Sequence, residues 1–177
     1  MIITKNTKHL IIELPSLNGE VFSTEALEGK PFMISFFRFA SCPFCNLRLN
    51  ELIHRFEEFE KDFTIVAIFD SSVENLQKNN DENRAPFPIL ADKTNIYYKK
   101  YGIKKSLFGM LKGMIFRFPT LIKGMLQGYI PFPPKGSMLT MPADILIDKN
   151  GIVQNVYYGK DEGDHLDFEI IKKFSNQ

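Results

Sequence analysis

The sequence predicts an α/β domain, a mixed central sheet flanked by helices, with an apolar helical insertion before a late β-hairpin. The prediction rests on three features. Two near-continuous apolar runs, "GKPFMISFFRFA" and "FTIVAIF", are separated by one helix-patterned segment, as in a β-α-β unit with strands covered on both faces. Two further runs in "ADILIDKNGIVQNVYYG" flank Asp148-Lys149-Asn150-Gly151, a loop whose Asn-Gly suits positive φ. A closing segment, "DEGDHLDFEIIKKF", sets Leu166, Ile170 and Phe174 on one helical face.

Taken in order, "HLIIEL" and "GEVFS" read as short strands around a turn at Asn18-Gly19. The central apolar strand follows, then a helix from Pro43 to Lys61 whose stripe is Cys45, Leu49, Leu52, Ile53, Phe56 and Phe59. After the second buried strand, "SVENLQKNNDENR" reads as a polar helix capped by Ser71 or Ser72. "PFPILAD" is extended, and "KTNIYYKKYGI" is a short helix stopped by Gly102. An early parallel unit and a late hairpin together require a mixed sheet between helical layers.

At 177 residues, 44% hydrophobic and 24% charged, the chain reads as one folded domain, 1–177, including an insertion at 106–136. Its 22 basic and 21 acidic residues give no footprint for nucleic acid. The opening "MIITKNTKHLIIEL" is broken by Lys5, Lys8, His9 and Glu13 and does not read as a signal peptide. Two cysteines make no disulfide framework, so a reducing cytoplasm is the expected compartment.

Both cysteines lie in "FASCPFCNLRLNELIHRF", where the central strand gives way to the helix. Cys42 falls at the N-cap and Pro43 at the first helical position, where a missing N–H costs nothing. Unpaired N–H groups and the positive end of the helix dipole favour a Cys42 thiolate. Cys45, almost one turn on, lies within disulfide reach on the buried stripe. Cys42 is thus expected to attack and Cys45 to resolve the resulting mixed disulfide or sulfenic acid. A zinc site would need more ligands: no second Cys pair exists, and His9, His54 and His165 lack ligand spacing, so no metal and no organic cofactor are expected. Arg38 is the nearest cation in sequence. It could stabilise the thiolate or a peroxide oxygen, but strand alternation also allows it to point outward into solvent or a salt bridge, the favoured reading. His54, remote from the helix N-terminus, is expected as a surface or packing residue, and Asp148 in the hairpin turn.

"FFRFASCPFC" resembles the active-site strand and loop of thioredoxin-fold proteins, and "MPADILIDKNGIV" resembles the segment they place opposite the cysteines. With "PILADKTNIYYKKYGI", the chain from about Leu10 to Phe174 is similar to the peroxiredoxin-like branch of the AhpC/TSA redoxins. The resemblance implies a thioredoxin-like fold, with Pro142 as a cis-proline and Met141 beside the cysteines, its backbone offered to an extended substrate. Phe39 stands where peroxiredoxins carry Thr or Ser, Met141-Pro142 where they carry an Arg, and Phe36 where thioredoxins carry a buried Asp.

The insertion places Leu107, Met110, Leu111, Met114, Ile115 and Phe118 at helical spacing, and Pro119 kinks or restarts the helix before Leu121, Ile122, Met125, Leu126 and Tyr129. Ile130 to Gly136 is non-helical, because Pro131, Pro133 and Pro134 crowd it. Lys112, Arg117 and Lys123 interrupt 107–130, so it is not a transmembrane span. The leading expectation is that 107–130 packs over the domain's own core or forms a homodimer interface. A helix lying on a membrane and a lid over the cysteines are the other readings. The function expected is a two-cysteine peroxidase that takes peroxide and is reset by an external dithiol reductant such as a thioredoxin-like protein. A protein disulfide reductase using the same sulfurs, and a redox-responsive binding protein without turnover, are the alternatives.

Overall fold

The computed structural model describes residues 3–79, 85–131 and 136–177. β1 (Glu13–Pro15) and β2 (Val21–Ser23) pair antiparallel as a small ribbon of their own, and Gly19 turns between them at φ +86°. The β-α-β unit follows as β3 (Phe32–Phe36), α1 (Pro43–His54) and β4 (Thr64–Phe69). Next come α2 (Val73–Asn79), β5 (Ile89–Ala91), α3 (Ile96–Lys100), α4 (Leu107–Phe116) and α5 (Phe118–Leu126). The hairpin β6 (Ala143–Ile147) and β7 (Val153–Tyr158) and the helix α6 (Phe168–Ser175) close the chain.

The main sheet has the order β5-β4-β3-β6-β7. β3 runs parallel to β4, and β4 to β5, while β6 is antiparallel to both its neighbours, β3 and β7. This is the mixed sheet expected from an early crossover and a late hairpin. With the cysteines at the carboxyl end of β3, it matches the thioredoxin-like arrangement. Every residue of β3 and of β6 is buried, so their side chains alternate between two cores. Met33 and Phe37 join Cys42, Cys45, Leu49 and Leu52 of the α1 layer, with Phe168 and Ile171 of α6. Ile34 and Phe36 join Tyr97, Tyr98 and Tyr101 on the other face.

Several boundaries differ from expectation. α1 stops at His54 rather than Lys61, and residues 56–58 form a 3-10 turn. Phe56, Phe59 and Phe63 then meet edge-on or tilted, Phe59 against Phe168 and Phe63 against Phe174, a packing that a continued straight helix would not give. α6 starts only at Phe168, where the Asp167 carboxylate accepts from the Glu169 N–H at 2.8 Å, so 161–166 is left to fold back over the sheet. The first strand narrows to Glu13–Pro15. In the hairpin only Gly151 has positive φ, +75°, and Asp148 Oδ1 accepts from the Asn150 and Ile152 N–H groups. The part of the expected polar helix beyond Asn79 that covers 80–84, and Pro133 and Pro134 of the expected non-helical stretch, lie outside the described residues.

The insertion meets the expectation that its apolar stripe packs on the domain's own core only in part: Leu121 packs against that core and α5 lies on α1, but most of the large apolar residues face outward. Gly109 and Gly113 of α4 and Gly124 of α5 are the buried residues, while Leu107, Phe108, Ile115, Phe116, Phe118 and Leu126 are 56–84% exposed. The physical reason is close backbone approach. A Cβ at Gly124 would stand 2.7 Å from the Pro43 Cβ, and one at Gly109 would stand 2.8 Å from both the Lys160 carbonyl oxygen and the Met141 sulfur. One at Gly113 would run into the Glu162 carboxylate.

Candidate active site

The loop from β3 to α1 is held by hydrogen bonds from three directions. The Tyr98 hydroxyl donates to the Phe37 carbonyl at 2.5 Å and to Ile68 at 2.9 Å. The Asp70 N–H donates to the Arg38 carbonyl at 3.1 Å. The Asn46 amide donates to the Ala40 and Cys42 carbonyls at 2.8 and 2.9 Å. Cys42 is therefore delivered to the N-cap of α1 with extended geometry (φ −66°, ψ 121°) and Pro43 behind it, as the sequence predicts.

Both thiols are free and both are 0% exposed. Arg38 turns inward, against the favoured expectation: it is buried, its Nη1 lies 3.5 Å from the Cys42 sulfur, and its Nη2 donates to the Met138 carbonyl. Its guanidinium carbon also stands 5.4 Å from the centre of the Phe39 ring. The Arg38 backbone N–H donates to the Cys45 sulfur at 3.3 Å. Burial opposes ionisation of Cys42. The Cys45 thiol, the Arg38 charge and the Cys45 and Phe44 N–H groups outweigh it and bring the Cys42 pKa down to about 6. Burial and the neighbouring Cys42 push Cys45 well above the ordinary thiol range. The surroundings thus favour the thiolate on Cys42 and the thiol on Cys45.

Met141 and Pro142 sit at the same end of the sheet, because β3 pairs with β6 in the register Phe36–Ala143. Both are buried. The Pro142 carbonyl accepts from the Gly159 N–H at 2.9 Å. The backbone beside Met141 is already paired. The Met141 N–H donates to Lys104 at 3.0 Å, the Ser106 N–H donates to Leu139 at 2.8 Å, and Lys105 and Thr140 form an antiparallel bridge. Residues 104–106 thus take the position along 139–141 that an extended substrate would need. His54 is exposed and Asp148 holds the hairpin turn, both as expected.

Two acidic groups near the site were not found by sequence reading. Glu162, on the loop before α6, is buried under Gly113, and its Oε2 has no hydrogen-bond partner among the described residues. Burial raises its pKa to about 7, with Arg38 lowering it and Cys42 raising it, so the carboxyl feels the charges of the cysteine site. Asp144 on β6 is fully buried. It accepts from the Ser35 hydroxyl at 2.5 Å and from the Leu166 N–H at 2.7 Å, and it faces His165 Nδ1 at 3.1 Å. Burial opposes its charge, but His165 foremost, then Arg48 and Ser35, hold its pKa down at about 2. The His165 ring packs against Phe37, 5.2 Å between centres. Among the described residues no three His, Cys, Asp or Glu side chains are grouped to hold a metal ion.

The AhpC/TSA family profile matches residues 7–156, and the chain belongs to that family. It is 25% identical over 156 residues to the chloroplastic peroxiredoxin Q of Sedum lineare, covering 88% of this chain and 69% of that protein. To the chloroplastic peroxiredoxin Q of Oryza sativa subsp. japonica it is 23% identical over 141 residues, covering 79% of this chain and only 52% of that protein. Its fold is similar to that of a thiol peroxidase from Chromobacterium violaceum, with a TM-score of 0.68 at 18% identity over 99% of this chain and 88% of the other.

Proposed function

We propose that this AhpC/TSA chain is a thiol-dependent oxidoreductase, specifically a two-cysteine peroxidase. One observation carries the reading: a Cys42 sulfur at a helix N-cap beside the Arg38 guanidinium, with a protonated Cys45 one turn along. Relatives named peroxiredoxin Q support it. The Cys42 thiolate attacks the terminal oxygen of a hydroperoxide, the O–O bond breaks, and Cys42 becomes a sulfenic acid while an alkoxide or hydroxide leaves. That leaving group takes a proton from water. The Cys45 sulfur then displaces water from the sulfenic acid and forms the disulfide. An external dithiol protein reduces the disulfide, in a compartment that keeps such donors reduced, as the cytoplasm does. Arg38 has two roles, holding the thiolate and facing the peroxide oxygens. Met141 and Pro142 shape the wall at the end of β6.

The alternative, a protein disulfide reductase, keeps its support in the Cys42–Cys45 spacing. The pairing of Lys104–Ser106 against 139–141 weighs against it, because the Met141 N–H that would bind an extended polypeptide is already used.

The test is single-turnover oxidation of the reduced wild type, Cys42→Ser and Cys45→Ser proteins with hydrogen peroxide and a bulky organic hydroperoxide, read by intact mass. The expected result is rapid disulfide formation in wild type, a sulfenic acid trapped in Cys45→Ser and no oxidation at Cys45 in Cys42→Ser. Oxidation no faster than that of a free thiol, with rapid reduction of a disulfide protein instead, would replace the peroxidase with the alternative. Arg38→Met should raise the Cys42 pKa and weaken the thiolate absorbance near neutral pH.

A further inference from the structure

The outer face of α4 and α5 is apolar, and the inner face is glycine. Turning Phe108, Phe116 and Leu126 to water while glycines take the buried positions leaves a large apolar surface uncovered, which on a soluble domain marks a contact. The charge around it is equally uneven. From Lys93 to Ala143 the sequence has nine Lys and Arg and no Asp or Glu, while the rest of the chain has thirteen basic residues and all 21 acidic ones. Exposed Lys104 and Lys105 lead into α4, and exposed Lys123 lies in α5. Neither α4 nor α5 contains an acid: Asp161 is buried and pairs with Arg117 at 2.6 Å and Lys112 at 3.8 Å, Glu162 is buried against Gly113, and Glu51, Asp167 and Glu169 lie along the cleft on the α1 side with Arg117 and Lys123.

We propose that this face is a docking surface for an anionic lipid bilayer. The two helices lie in the plane of the interface, with phenylalanines and leucines among the upper acyl chains and the lysines at the level of the phosphates. At ten and nine residues each is too short to span a bilayer, and no described helix is long and apolar enough to cross one, so the mode is lying on the membrane. Charge complementarity selects this occupant over a second copy of the chain. A two-fold interface would press the acid-free, lysine-bearing face onto itself, and like charges there repel. The docking does not depend on the thiol chemistry, so it is testable in a protein that cannot turn over.

The experiment is co-sedimentation of the full chain carrying Cys42→Ser with vesicles of equal parts phosphatidylglycerol and phosphatidylcholine, and with phosphatidylcholine alone, in low and in high salt. Binding to the anionic vesicles is expected, roughly tenfold or more weaker on phosphatidylcholine and in high salt. A Phe108→Ser/Phe116→Ser double variant, at exposed positions and with an unchanged melting temperature, should lose at least about tenfold in binding. A Lys104→Glu/Lys105→Glu/Lys123→Glu variant should bind both vesicle types equally weakly. The proposal is overturned if the unsubstituted face does not bind anionic vesicles, if the phenylalanine variant binds as well as its parent, or if sedimentation equilibrium finds a stable dimer that excludes lipid.

Discussion

Helix α1 and the α4–α5 pair carry similar apolar periodicity and place it in opposite directions. In α1 the stripe Cys45, Leu49 and Leu52 is fully enclosed against the sheet and α6. In α4–α5 most of the large residues face out, with Phe108 at 80% and Leu126 at 84% exposure, and the glycines with Leu121 make the contact. The difference teaches that a hydrophobic period identifies which residues share a face, not which way that face looks. Direction is set by what the backbone must approach. α1 needs side-chain volume to fill the space over β3 and β4, whereas α4 and α5 must come close enough to touch Pro43, Lys160 and Glu162.

Truncating the enclosed stripe should have the largest effect on stability. Leu52→Ala should cost about 2–5 kcal/mol in urea unfolding, the range for an emptied, well-packed leucine site. If it costs as little as an exposed residue, α1 is not packed as described. The enclosed side also carries charge. Asp144 has its pKa lowered by folding to about 2, so its contribution is full above the unfolded carboxylate value and is lost as pH falls through 2. Asp144→Asn should remove about 2 kcal/mol at neutral pH and flatten the loss of stability between pH 4 and pH 2 relative to wild type, read by thermal unfolding against pH. Gly124→Ala probes the other side. In an ordinary helix the change gains up to about 1 kcal/mol, but here the methyl meets the ring and backbone of Pro43, and a loss of about 1–3 kcal/mol is expected. A gain would mean that α5 stands off from α1. The smallest effect belongs to the outer face, where Phe108→Ser or Leu126→Ser should shift stability by no more than about 0.5 kcal/mol.

Much of the scaffold was legible because it is local. The two enclosed strands, the cysteine-bearing helix start and the Asp148 hairpin each carry their own pattern, and each forms where that pattern lies; the closing helix forms too, but it starts after Leu166 and buries Phe168, Ile171 and Phe174 while Ile170 of the expected face is exposed. The end of α1 was not, because aromatic packing with α6 across more than a hundred residues overrides local helix preference after His54. Within the site, Cys42 and Cys45 announced themselves by spacing and by Pro43. The inward turn of Arg38 did not, since a residue just past a strand end no longer obeys alternation. Asp144 and His165 come together beside Ser35 and Phe37, and Glu162 comes under α4, only through strand pairing and the loop before α6. The one available signal was an unusual one: a charged residue second in "ADILI", a strand otherwise fit for complete burial. For α4–α5 the signal was Gly109, Gly113 and Gly124, whose spacing marks a close-approach face.

The complete enclosure of the Cys42 sulfur has a kinetic consequence. A hydroperoxide cannot reach it until the surrounding wall parts, and that parting is a unimolecular event. In stopped-flow oxidation the observed rate should therefore follow peroxide concentration only at first and then level off. The plateau reports the opening frequency and should be the same for hydrogen peroxide and for a bulky hydroperoxide. The two oxidants should differ in the initial slope, where encounter and chemistry still compete with reclosure.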